Sequence, residues 1–237
     1  GADAALAYAE AGADVALLAR RLEKLEAVKA AIERTGRRAL ALQCDVTNEE
    51  EVKNAMQAVI DTFGRIDILL NNAGVAQHCA VDEATEAEWD KVFDTNVKSM
   101  FFTCKYAIPV MRAQSYGRIV NVSSVNAIVA DKNDLFTRHS YNSSKAAVLG
   151  LTRGLAASYA QYGITVNAVG PGLFESEMTS EKLFKSEEFL GYYAYTNPTG
   201  RPGNRGELNG TILFLSSDAS SYVQGQFIVV DGGSSIV

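Results

Sequence analysis

The stretch Ile66-Asp67-Ile68-Leu69-Leu70-Asn71-Asn72-Ala73-Gly74 decides the fold. It opens with a short, mostly apolar run of branched residues, the pattern of a strand buried on both faces of a sheet. The run stops at two asparagines and a glycine, residues that turn a chain rather than extend it. The same unit, an apolar run closed by turn-forming or polar residues, recurs in both directions along the chain.

Toward the amino end, residues 15–19 and 39–44 read as two further strands, the second stopped by Asp45. The segment between them carries Leu22, Leu25, Val28 and Ile32 on one helical stripe and ends before Gly36. An alanine-rich helix precedes the first strand and closes at Gly12, placed to cap it. After Asp45, Thr47 and Glu50 have capping-box spacing, and Val52, Met56, Val59 and Phe63 line the helix they open. Toward the carboxyl end, residues 86–113 predict one long helix bent by Pro109. Strands at 119–122, 164–169 and 227–230 follow, with a helix from Tyr141 to about Tyr162 between the first two. A polar and aromatic segment, 173–203, and a short helix after Asn204 complete the chain.

Strands and helices alternating at this length imply βαβ units. The expected fold is α/β: one domain over 1–237, a Rossmann-like doubly wound parallel sheet with helices on both faces. Ligands of such sheets bind beyond the carboxyl ends of the strands. The informative residues should therefore lie in the loops that follow each strand.

Composition narrows the partners. At 237 residues with 47% hydrophobic and 21% charged residues, the chain has the make-up of a globular domain with a large core. A net charge of −6 argues against nucleic acid or an anionic membrane as partner. Cys44, Cys79 and Cys104 show no ligand spacing and read as thiols of a reducing, cytoplasmic compartment. With only His78 and His139 besides, metal catalysis is not expected.

The chemistry centres on Tyr141-Asn142-Ser143-Ser144-Lys145. On a helix, residues four apart share a face, so the phenol and the ammonium stack about one turn apart. A nearby cation favours the phenolate, and such a pair can pass a proton to or from a substrate oxygen. Taken alone, the spacing also fits two residues of an ordinary exposed helix. The strand-end loops supply the context: Ala19-Arg20-Arg21, Asp45-Val46, Asn71-Asn72-Ala73-Gly74, Ser123-Ser124 and Gly170-Pro171-Gly172. Each could be a simple turn or cap, but they stand at successive strand ends.

In that order, Asp45-Val46, Asn71 to Gly74, Asn96, Ser124, Tyr141 and Lys145, Pro171-Gly172 and Asp231-Gly232-Gly233 resemble the short-chain dehydrogenase/reductase family over essentially the whole chain. The resemblance implies Tyr141 as general acid/base, with Lys145 lowering its pKa and holding the nicotinamide ribose. It implies Ser124 as a donor to the reacting oxygen and Asn96 as holder of a water behind Lys145. It further implies cofactor contacts at Gly1, Arg20, Asp45, Val46, Asn72, Ala73, Gly74, Pro171, Gly172 and Ser176.

Arg20 follows Ala19 where NAD-using members often carry Asp, so NADP is the expected cofactor, with NAD possible. Gly1 matches the last glycine of the family's glycine-rich turn. The strand and the rest of that turn have no counterpart before it, which predicts a hydrophobic slot and two unpaired strand edges. Residues 129–138 are longer than usual for the family. Segment 173–203 resembles the variable substrate lid, with Phe174, Tyr192, Tyr193 and Tyr195 as candidate pocket walls, Phe184 and Phe189 read as packing the lid onto the body, and His139 at the rim.

The expected activity is hydride transfer between nicotinamide and a small carbonyl or secondary alcohol, a sugar acid or polyol, in a homotetramer or homodimer. Two alternatives stand beside it. One is reduction of a 3-oxoacyl group on an acyl-carrier protein, whose acidic partner would need a basic rim from Lys105, Arg112 and Arg153. The other is a dinucleotide-binding sensor or scaffold without catalysis.

Overall fold

Strand pairing builds a sheet whose carboxyl edge gathers the polar loops. The computed structural model describes residues 1–76, 80–130, 137–176, 179 and 183–237. In chain order the elements are α1 (Ala2–Glu10), β1 (Val15–Ala19), α2 (Leu22–Glu33), β2 (Ala39–Gln43), α3 (Glu49–Phe63), β3 (Ile68–Asn71) and α4 (Glu86–Phe93). Then come α5 (Ser99–Gln114), β4 (Gly117–Val122), α6 (His139–Tyr159), β5 (Ile164–Pro171), α7 (Glu187–Thr196), α8 (Asn209–Leu215) and β6 (Phe227–Val230).

All pairings between these strands are parallel, in the order β3-β4-β5-β6 with a separate β1-β2 pair. Alternation along β4 distributes the core between the two faces. Ile119 joins Val52, Met56, Phe102, Met111 and Val166 under α3 and α5. Its neighbour Val120 joins Ala4, Tyr8, Val169, Ile212 and Leu215 under α1 and α8. The fold is thus the Rossmann-like α/β arrangement that the alternation of elements implies.

The outer edges of β1 and β3 have no strand partner among the described residues. The expected slot is only partly open. Every residue of β1 is half-buried, and Val15, Ile68 and Leu70 pack against the same cluster as Tyr8.

Two local expectations are corrected. The stretch expected as one long helix over 86–113 is interrupted by a π-turn over Asp94–Lys98, and Pro109 lies inside α5. Such a turn carries one residue more than an α-turn and redirects the side chains it holds. The capping residue of α3 is Asn48, which accepts from the amides of Glu50 and Glu51, rather than Thr47. Thr47 instead bonds Asp45. A reciprocal capping box does form, between Thr85 and Glu88 at the start of α4.

The turn that delivers the chain into β5 is tightly constrained. Gly163 has φ of 73°, and an added Cβ would stand 2.4 Å from the carbonyl oxygen of Ser115. Gly36, with φ of 82°, faces open space. Gly36→Ala is expected to cost about 1 kcal/mol from the left-handed backbone alone. Gly163→Ala adds a backbone clash and is expected to cost about 3 kcal/mol or more. Urea unfolding of the two variants checks this, and equal losses would mean that the Ser115 turn yields freely.

Candidate active site

The site is built where α6 is clasped to the end of β4. Ser123 follows the strand, and its Oγ donates to the carbonyl of Lys145 at 2.8 Å. Lys145 Nζ in return donates to the carbonyl of Val122 at 2.9 Å. This pair of bonds fixes both the height and the rotation of the helix. Lys145 is only 4% exposed, and burial pulls its pKa from 10.5 down to about 8. An ammonium has three donors, and Val122 takes one. The other two have no hydrogen-bond acceptor among the described residues, which suits the hydroxyls of a sugar.

Tyr141 stands one turn earlier on the same face, with Ser124 near enough to lower its pKa; Ser124 Oγ itself accepts from the amide of Asn126 at 3.2 Å. Lys145 Nζ lies 5.6 Å from the Tyr141 ring centroid. The dominant effect on the phenol is burial, which raises its pKa; nearby Ser124 and the charge of Arg138 lower it in smaller measure. Lowering by Lys145 is therefore not the leading influence in this arrangement, contrary to the sequence expectation. A half-buried phenol that keeps its proton is poised to donate it.

Asn96 is fully buried in the π-turn. Its Oδ1 accepts from the amide of Val75 at 2.8 Å, and its Nδ2 donates to the Val75 carbonyl at 3.0 Å and to Ser144 Oγ at 3.0 Å. The carboxamide thus ties the loop after β3 to α6. In that loop, a Cβ on Gly74 would lie 3.3 Å from Asn96 Oδ1 and 3.4 Å from Lys145 Nζ, so the bare backbone keeps this space clear. Asn71 is buried and donates to Asn121 Oδ1 at 2.8 Å. Asn72 is exposed and abuts Gly1, whose added Cβ would meet it at 2.9 Å.

Four expected catalytic positions, Asn96, Ser124, Tyr141 and Lys145, thus come together with Gly74. At the far end of the same edge, Arg20 is exposed and its carbonyl accepts from Gln43 at 3.0 Å. Arg20 also lies near enough to Asp45 to lower its carboxyl pKa, although the bonds from Thr47 dominate that shift. The remaining expected contacts separate. Val46 packs against the core, Gly172 lies against Asp231, and Ser176 is exposed and bonded to Thr179. Ala73 sits half-buried within the loop.

The lid departs furthest from expectation. Tyr192 and Tyr195 are 62% and 90% exposed, so neither is buried as a pocket wall. Tyr193 bonds Asn197, and Phe184 lines a cavity of about 520 Å³ with Leu190, Ala194 and Arg201. His139 does sit at a rim, its Nδ1 accepting from the amide of Val81 at 3.0 Å. His78, Cys79 and most of the extended 129–138 loop lie outside the described residues. Among the described residues, no group of His, Cys, Asp or Glu could hold a metal ion, and no helix is long and apolar enough to cross a membrane.

Ser123, Ser144 and the carbonyl of Val122 are the site members that sequence reasoning missed. Both serines stood inside quoted motifs, but nothing in their spacing shows which way a hydroxyl points.

Comparison with known proteins decides the family. The family model described as Enoyl-(Acyl carrier protein) reductase matches residues 1–235. The chain belongs to the short-chain dehydrogenase/reductase family. It is 36% identical to a gluconate 5-dehydrogenase of Gluconobacter oxydans (strain 621H), over 95% of this chain and 86% of that protein. It is 38% identical to a 3-oxoacyl-[acyl-carrier-protein] reductase FabG of Staphylococcus aureus (strain MW2), over 98% of this chain and 92% of that one. Among solved structures, a gluconate 5-dehydrogenase from Burkholderia cenocepacia J2315 in complex with NADP and tartrate is 32% identical, with a TM-score of 0.93. It is matched over 100% of this chain and 92% of its own. As a member of this family, the chain is an oxidoreductase that uses a nicotinamide dinucleotide.

The buried lysine has a measurable signature. Below about pH 8 both the folded and the unfolded chain carry its proton, and the folded state bears the full cost of burying the charge. Between about 8 and 10.5 only the unfolded chain keeps it, so stability contributed at this site climbs with pH. Lys145→Met is expected to raise stability at pH 7 by up to about 3 kcal/mol and to remove that climb, while abolishing turnover. Chemical unfolding at pH 7 and pH 10 reads both effects; a large loss of stability at pH 7 would contradict them.

Proposed function

We propose that this short-chain dehydrogenase/reductase transfers hydride between NADP(H) and the carbonyl or secondary alcohol of a small sugar acid or polyol. The observation that carries the reading is the gathering of buried Ser124 and Lys145 with half-buried Tyr141 beside the clasp between β4 and α6. Ser124 lies near enough to the Tyr141 hydroxyl to lower its pKa, so a substrate oxygen placed against both would meet two donors. A bound nicotinamide would supply or take the hydride. Tyr141 gives or takes the proton at the substrate oxygen, Ser124 stabilises charge there, and Lys145 holds the ribose with its two remaining donors.

For NADP, the support is Arg20, an exposed cation at the end of β1 where a 2′-phosphate would be met. Arg20→Ala should raise the NADPH dissociation constant about 10-fold or more and leave that for NADH nearly unchanged, as read by fluorescence titration. A preference for NADH that survives the substitution would refute the role.

For the substrate class, support comes from the gluconate 5-dehydrogenases among the relatives and from the cations proposed for an acyl-carrier rim. Lys105 is ion-paired with Glu49. Arg112 lies over the Tyr162 ring in the last turn of α5, away from the carboxyl ends of the strands. Arg153 is twelve residues beyond Tyr141, about 18 Å along α6. These three do not ring the site, which weakens the acyl-carrier reading. Assay against 5-ketogluconate, a xylulose-type ketose and an acetoacetyl thioester ranks the classes, and exclusive turnover of the thioester would reverse the choice.

Tyr141→Phe separates enzyme from sensor. It is expected to lower kcat by about 10²- to 10⁴-fold. Because burial raises the phenol pKa, carbonyl reduction should fall and alcohol oxidation rise as pH increases through the alkaline range. Matching profiles in the two directions would remove Tyr141 as the proton carrier.

A further inference from the structure

The hydroxyl of Ser144 has no place in the proposed chemistry, yet it is wholly buried beside it. It donates to the carbonyl of Tyr141 at 2.8 Å and accepts from Asn96 Nδ2 at 3.0 Å. The first bond alone would be unremarkable, since serines in helices often bond back to the preceding turn. The second makes it directional. Val75 presents Asn96 with a donor and an acceptor together, at 2.8 and 3.0 Å. Reversing the carboxamide would set its NH₂ against the Val75 amide, so its orientation is fixed. Both Nδ2 hydrogens are then committed, Ser144 must accept one, and its own hydrogen is left for Tyr141. The chain Val75–Asn96–Ser144–Tyr141 therefore has a single polarity from end to end.

We propose that Ser144 is a positioning residue for the reaction: with Asn96 it forms a strut that fixes Tyr141 relative to the Gly74–Val75 turn. Its catalytic consequence rests on the oxidoreductase reading above. One end of the strut is the loop whose bare glycine keeps space clear next to Lys145. The other is the main chain of the residue that moves the proton. The π-turn over Asp94–Lys98 explains why a carboxamide can lie between them, because it holds Asn96 with no exposure at all. Ser123 clasps Lys145 separately from the β4 side. Loss of the Ser144 hydroxyl would thus leave Lys145 seated and let Tyr141 drift.

Three variants test the strut: Ser144→Ala, Asn96→Ala and the double. Ser144→Ala should lower kcat about 10- to 100-fold, the effect of a misplacement of under about 1 Å, with substrate KM and the NADPH dissociation constant within about twofold of wild type. Because the two side chains act as one strut, the double variant should lose no more than Asn96→Ala alone. Ser144→Cys keeps the volume but bonds weakly, and should also fall at least about fivefold; it serves if alanine disturbs folding.

A substrate-free readout is the titration of the Tyr141 ring by ¹³C-tyrosine NMR, its signal assigned with Tyr141→Phe. Its midpoint should shift in Ser144→Ala. A wild-type titration in that variant, unchanged kcat in both Ser144 variants, or additive losses in the double would each overturn the proposal. If the wild-type protein turns over no carbonyl or alcohol, the oxidoreductase reading fails by itself, and the titration still decides the strut.

Discussion

An ammonium held out of water at the carboxyl end of β4 is the constraint on which the rest of the site depends. A lysine on a helix surface normally extends its charge into solvent along its own stem. Lys145 cannot, because α6 lies over the most buried part of the sheet. Every residue of β4 from Gly117 to Asn121 is buried, as is β5 from Ile164 to Gly170. The charge survives there because the Val122 carbonyl points at it and the next residue, Ser123, secures the helix to the same strand end. Taking a charge out of water without a full set of partners is costly. Such a cost is sustained where the unmet donors are needed, and here they face the space left by Gly74.

The same burial sets the electrical character of the site. Tyr141 and Lys145 are both pushed toward their neutral forms, the phenol up and the ammonium down. Two pKa values that nearly coincide in the free side chains are thereby driven apart, so that the phenol keeps its proton for donation. Within this frame Ser124 and the charge of Arg138 favour the charged form of Tyr141. The position of Ser124 is set by the strand end rather than by the helix, so helix and strand each contribute one of the two neighbouring hydroxyls.

Much of this was legible in the sequence because the strands are short apolar runs and their ends are chemically abrupt. Val15–Ala19 and Phe227–Val230 fall where periodicity places them, and Tyr141 and Lys145 share a face because a helix leaves no alternative. What was not legible has a common cause. The π-turn, the Asn48 cap and the Ser144 bond each depend on a competition among several nearby polar groups, and residue spacing alone does not decide it. Thr47 had capping spacing, but its hydroxyl and amide are taken by Asp45. The lid aromatics fail for a related reason: an aromatic-rich segment does not reveal which rings it buries, and Tyr195 points outward.

The buried polar residues of the sheet complete the logic. Thr103 donates to Asn71 Oδ1, Asn71 donates to Asn121 Oδ1, and Asn121 donates to Thr152, which donates in turn to the carbonyl of Val148. This line runs from α5 through β3 and β4 to α6 entirely inside the protein. Apolar contacts alone would allow α5 and α6 to slide over the sheet by fractions of a turn at small cost, since such packing is non-directional. A satisfied hydrogen-bond line admits one register, because any slip strands a buried donor. Tyr141 is carried on α6 and Asn96 in the π-turn that leads directly into α5, so the register the line enforces is also the geometry of the site.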